Sequence, residues 1–282
     1  MNKIKTVFVL GLLLNFLFSC NNSETNTVNG KSDSDSIIIN NDSLAAQKVF
    51  YSLPAPHEVA SILIEHPSAS YISEYLNPIE KKDNYTTTKS KALNLGIYGT
   101  DLSYASMFEQ NQTVINYMAT SKMIAEELGI LQVFNEEAIK KLEGNVNNKD
   151  EIINIISESF LDSDAYLIES GQYEVAAIIL VGGWVEGMHI ACKLSKKDLK
   201  TNPLLTSRIL EQDQTLPLMI SHLEQYQENE GIKEILGDLQ KISAAYTKAN
   251  STANNEGFLT CSSKDFEHIC NTIFEIREKY VK

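Results

Sequence analysis

The chain is poor in residues that interrupt regular structure. It holds 13 Gly and 6 Pro in 282 residues, too few turn points for a many-stranded sandwich or barrel. A single Trp leaves little from which to build the stacking platforms of a glycan binder. Four Cys exclude a disulfide-dense scaffold. Basic residues are the minority, 24 against 37 acidic ones, for a net charge of −13. That balance excludes nucleic acid as a partner, because phosphate binding needs a basic face. Catalytic motifs are missing too. There is no Gly-x-Ser-x-Gly elbow, P-loop, dinucleotide glycine fingerprint or His-Glu-x-x-His. Their absence lowers the expectation of an enzyme without excluding one. What remains is ordinary for a folded protein, with 43% hydrophobic and 22% charged residues.

The first 19 residues read as a targeting segment and stand apart from the fold. Lys3 and Lys5 precede an apolar stretch over residues 7–18 that only Asn15 interrupts. The stretch is short for a membrane-spanning helix. It ends in Leu17-Phe18-Ser19-Cys20, which resembles the lipobox of bacterial lipoprotein precursors. Phe18 is bulkier than the usual occupant of its place. The resemblance implies cleavage before Cys20 and acylation of its thiol. It also implies a membrane as partner through that lipid anchor. Asn21 stands where such lipoproteins carry Asp when they are retained in the inner membrane. The expected address is therefore the outer membrane of a cell envelope, on its periplasmic side in preference to the surface. Residues 20–43 are mostly Asn, Ser, Thr and Asp, with Ile37-Ile38-Ile39 as the apolar exception. Such a segment buries too little apolar area to offset its ordering entropy and reads as a flexible tether.

From residue 44 onward the apolar spacing is that of helices. The expected fold is all-α, a single multi-helix bundle over residues 44–282. Val59, Ile62 and Leu63 mark one stripe, and Tyr71, Ile72, Tyr75 and Leu76 the next, closed by Pro78. The Thr86–Thr88 cluster caps a helix carrying Leu93, Leu95 and Ile97, with Gly96 and Gly99 allowing a kink or a close packing contact. Gly129 is placed to end a helix. Asn135 and Asn148 are N-caps, and Asn202-Pro203 is an N-cap followed by Pro at the first helical position. Pro217 is expected to kink or restart that helix. The most apolar helix covers residues 175–192, contains Gly182, Gly183 and Gly187, and is expected at the centre of the bundle.

Three groups of residues are candidates for chemistry. Glu186 and His189 form Glu-x-x-His on the apolar helix, the ligand pattern of ferritin-like bundles, with Glu158 and Asp162 on the preceding helix. Iron, manganese or zinc would suit such a pair, but no second Glu-x-x-His exists to complete a two-metal centre, and the favoured reading is no cofactor. Tyr98, Asp101, Tyr104 and Tyr117 surround Gly96 and Gly99 and are candidates for a pocket wall, although tyrosines at helical spacing are more often core residues with wet hydroxyls. Cys261 and Cys270 are the expected disulfide if the body sits in an oxidising compartment, with reduced thiols as the alternative. The functional expectation is a lipid-anchored envelope protein of non-enzymatic binding or scaffolding type, with an unknown envelope protein or small ligand as partner. A metal-dependent enzyme using Glu186 and His189 is the alternative.

Overall fold

The computed structural model describes residues 70–131, 169–195 and 202–282, with scattered positions between 140 and 167 and Leu199. All of them belong to the unit Ile39–Lys282. The expected signal segment, the tether, the Val59 stripe, the Asn135 cap, Glu158 and Asp162 lie outside the described residues.

The described chain is all-α apart from two short strands. It opens with two 3-10 turns, Ser73–Tyr75 and Ile79–Asn84. The helices follow as α1 (Thr88–Met107), α2 (Asn111–Glu127), α3 (Tyr173–Leu194), α4 (Pro203–Leu210), α5 (Gln212–Glu224), α6 (Glu230–Ala249) and α7 (Ser263–Tyr280). Strands β1 (Thr252–Ala253) and β2 (Leu259–Thr260) pair antiparallel between α6 and α7, with Thr252 opposite Thr260.

Local chemistry explains most boundaries. Thr87 caps α1 through a reciprocal box, its hydroxyl accepting from the Ser90 N–H and the Ser90 hydroxyl accepting from the Thr87 N–H, each at 3.0 Å. The Asn202 side chain accepts from the Leu205 N–H at 3.0 Å, and Pro203 starts α4. Gly129, with φ of 74°, takes the left-handed position after α2. Ser262 caps α7 by accepting from the Asp265 N–H at 3.1 Å.

Two expectations are corrected here. The stripe of Tyr71, Ile72, Tyr75 and Leu76 is not an α-helix. Ile72 and Leu76 are extended and bracket a single 3-10 turn, because this stretch spends its backbone groups on side chains of α1 and α2. Of the kink or restart expected at Pro217, the restart falls earlier, at Glu211, which closes α4 and opens α5. Pro217 sits inside α5, where its ring removes one helical donor without ending the helix.

The core is centred on two helices, not one. From Ala92 to Met107 every α1 residue but Thr100 is buried, and α3 is buried over most of its length. They cross with their backbones in contact. A Cβ at Gly96 would lie 2.0 Å from the Ile179 carbonyl oxygen, and one at Gly182 would lie 2.0 Å from that of Leu93. Thr100 donates to the Gly183 carbonyl at 3.1 Å at the same crossing. Against this pair pack α2 on α1 and α7 on α3, with α4, α5 and α6 completing the body. The length and apolarity of α3 would suffice to cross a membrane, but 72% of its most apolar stretch is buried inside the protein.

Candidate functional site

The polar residues of the sequence candidates meet where α1, α3 and α7 come together. Asp101 stands on α1 and Glu186 on α3, both with no exposed surface. Arg277 approaches from α7 and is 7% exposed. Its Nε donates to Glu186 Oε2 and its Nη2 to Glu186 Oε1, both at 2.8 Å. This is the two-pronged guanidinium–carboxylate geometry that fixes both groups in the plane they share. Asp101 adjoins the same carboxyl. Burial, and then the nearby Glu186 charge, hold Asp101 well above the usual carboxylate range.

The segment over residues 70–85 lies across this cluster as a strap. Its centre is Asn77, wholly buried. The Asn77 N–H donates to Asp101 Oδ2 at 3.0 Å. Its side-chain amide donates to the Tyr85 hydroxyl at 2.9 Å and to Asn94 Oδ1 at 3.0 Å. Its carbonyl accepts from the Tyr117 hydroxyl at 2.8 Å. On either side, Tyr98 donates to the Pro78 carbonyl at 3.0 Å, and the Ile72 N–H donates to the Tyr104 hydroxyl at 3.3 Å. Asn94 in turn donates to the carbonyls of Ser90 and Tyr280 at 2.9 Å each, tying the end of α7 to α1.

The structure therefore does gather Tyr98, Asp101, Tyr104 and Tyr117, but as a sealed layer and not as the wall of an open pocket. All four are buried. Tyr98 and Tyr117 meet edge to face at 5.7 Å between centroids, and Tyr104 stacks on Tyr71 at 5.6 Å. Burial pushes the Tyr104 hydroxyl up to about 12. The tyrosine hydroxyls are spent on the strap's backbone.

Glu186 and His189 share a face of α3 without converging on a common point. Both oxygens of Glu186 are engaged by Arg277, so its carboxylate does not fit the part of a metal ligand. His189 packs edge-on against Phe274, 5.2 Å between ring centroids, and Lys193 lies 4.6 Å from the centroid of that same ring. Burial, then the charges of Arg277 and Lys193, push the imidazole down to about 3. Among the described residues no group of three or more His, Cys, Asp or Glu side chains is arranged to hold an ion.

The expected Cys261–Cys270 disulfide is not formed. Cys261 is half-buried, and its thiol, raised to about 11 by burial and Asp265, donates to the Ser262 carbonyl at 3.5 Å. Cys270 is a buried thiol on the apolar face of α7, pointing into the core with Phe266 and Ile273.

Two residues that organise the site, Arg277 and Asn77, were not among the sequence candidates. Arg277 had a readable signal. It sits four residues after Ile273 and one after Ile276, on the stripe that buries Phe266, Ile269 and Ile273. A charge on such a stripe requires a buried partner. Asn77 carried no comparable signal, because its role depends on the strap crossing α1. No known protein family, characterised protein or solved structure matches this chain.

Proposed function

We propose that the protein is a lipid-anchored module of a bacterial envelope, held to the outer membrane through Cys20, whose helical body serves as a non-enzymatic binding or scaffolding unit. The anchor rests on Leu17-Phe18-Ser19-Cys20 behind an apolar segment. The observation that carries the non-enzymatic half is the fate of the strongest chemical candidates. Glu186 is paired with Arg277 through both oxygens, and Tyr98, Tyr104 and Tyr117 are tied to the strap's backbone. A general acid, base or ligand must reach a substrate, and these groups face each other instead. The acidic body is repelled by anionic headgroups, which favours a domain held off the bilayer at the end of residues 20–43.

The test is metabolic labelling with palmitate and fractionation of cells making the wild type or Cys20→Ala. The proposal expects label and membrane association in the wild type, and loss of both in the variant. A wild-type chain that is unlabelled and soluble overturns the anchor. Stoichiometric iron, manganese or zinc in purified protein, lost on Glu186→Gln, overturns the non-enzymatic half in favour of a metal protein.

A further inference from the structure

The polar cluster contains two carboxyls and one guanidinium. Glu186 uses both oxygens on Arg277. Asp101 uses Oδ2 to accept from Asn77, while its Oδ1 is buried and has no hydrogen-bond partner. A bare carboxylate oxygen in a dry interior carries a large desolvation cost. The groups facing Asp101 are Tyr71, the Asn77 N–H, Tyr98 of α1, Tyr117 of α2, Glu186 of α3 and Arg277 of α7. The Tyr98 and Tyr117 hydroxyls are committed to Pro78 and Asn77 carbonyls. Among these groups Arg277 is the one cation, and its fork is occupied. A proton on Oδ1 resolves both deficits. It turns the orphan oxygen into a donor, and the neighbouring Glu186 carboxylate has lone pairs left to accept from it.

We propose that Asp101 is held as a neutral carboxylic acid whose Oδ1–H donates to Glu186, and that its ionisation releases the strap over residues 70–85 from the helical body. An ionised Asp101 sets two carboxylates against one guanidinium in a sealed space. The single Asn77 amide donor offsets this only in part. Relief requires water, and the elements around Asp101 differ in how readily they yield. The α1–α3 crossing is locked by backbone contact at Gly96 and Gly182. The strap buries the apolar side chains of Leu76 and Tyr85 on either side of Asn77, while its two 3-10 turns contain no buried residue, against fifteen buried residues in α1 and fourteen in α3. The strap is held at Asn77, by the tyrosine bonds, and by Lys81 Nζ donating to the Val281 carbonyl at 3.1 Å. Elements with few buried apolar groups open first. The direction follows from linkage. Asp101 keeps its proton in the folded chain to higher pH than in the unfolded chain, so stability is lost as pH rises above the ordinary aspartate range.

Residue-resolved hydrogen exchange on the full chain, corrected for intrinsic rates and followed from mildly acidic to mildly alkaline pH, tests the proposal. In the wild type the Ile72 and Asn77 amides should lose at least about tenfold in protection as Asp101 ionises. Amides of α1 and α3 should keep theirs. Asp101→Asn mimics the neutral acid, with an oxygen for Asn77 and an N–H for Glu186, and should hold the strap's protection constant with pH. Equal pH dependence in wild type and variant overturns the proposal, as does loss of protection in α3 together with the strap. Carbon-13 NMR of the wild-type aspartate carboxyls decides independently of the variant's folding. One aspartate side chain that stays protonated to higher pH than the rest is expected, and ionisation of every aspartate together in the ordinary range overturns the proposal.

Discussion

Arg277 of α7 holds both oxygens of Glu186 of α3 at 2.8 Å, across 91 residues of chain and out of water. The pair joins the last helix to the centre of the body, and its energetics are lopsided. Removing one partner strands the other charge, whereas removing both strands neither. Glu186→Leu or Arg277→Met alone should each cost about 3–5 kcal/mol. The double variant Glu186→Leu with Arg277→Met should recover most of that loss. Urea unfolding of the four proteins gives the coupling energy directly. Additive losses in the double variant would mean that the two side chains do not depend on each other.

The glycines separate into those the packing requires and those it tolerates. A methyl at Gly96 would sit 2.0 Å from the Ile179 carbonyl oxygen and 2.7 Å from the Gly183 nitrogen. Backbone atoms cannot rotate aside, so Gly96→Ala should cost more than the ~1–3 kcal/mol of ordinary overpacking. Gly237 lies inside α6, with nothing within 4 Å of the space a Cβ would fill. There the substitution to Ala should stabilise by about 0.5–1 kcal/mol through backbone entropy. Thermal melts of the two variants should therefore move in opposite directions.

These outcomes show where sequence was sufficient. Asn202-Pro203 and Gly129 carry their instruction in one or two side chains, and both act as read. The apolar run of α3 is buried as its composition suggested, and of the readings open for its glycines Gly182 takes close packing, whereas Gly187 has only Thr100 Cγ2, at 3.9 Å, near the space a Cβ would fill. Tyr71, Ile72, Tyr75 and Leu76 have helical spacing, yet they form a strap. Helical hydrogen bonds there compete with tertiary ones from Tyr98, Tyr104, Tyr117 and Asp101, which local spacing does not encode. For the same reason Glu186 looked like half of a metal site. Its partner lies on another helix, 91 residues away.

His189 gives the protein an acid-side weakness. Its imidazole titrates at about 3 in the fold, against 6.5 for an ordinary histidine. The unfolded chain therefore takes up the proton first. Stability owed to this residue is complete above pH 6.5 and is lost as pH falls towards 3, by on the order of a few kcal/mol in all. Phenylalanine keeps the ring against Phe274 and cannot titrate. His189→Phe should flatten the difference in unfolding free energy between neutral and acidic buffer relative to the wild type. If both proteins lose the same stability on acidification, the acid sensitivity belongs to other groups.

Trp184 is the only tryptophan in the chain, so it reports the core without interference. It is 3% exposed on α3, and its indole N–H donates to Gln212 Oε1 at 3.1 Å. Gln212, at the start of α5, is itself buried. This bond is therefore a direct link between the central helix and the break that separates α4 from α5. Gln212→Leu keeps an apolar body but removes the acceptor, leaving a buried donor unpaired at about 1–3 kcal/mol. Gln212→Glu keeps an acceptor, at the expense of burying a charge beside the indole. Tryptophan emission of the folded wild type should be blue-shifted, and Gln212→Leu should shift it further to the blue while lowering the unfolding midpoint. If Gln212→Leu leaves both emission and midpoint where they are, the indole does not use Gln212 as its partner. The junction of α4 and α5 must then be fixed against α3 by packing alone.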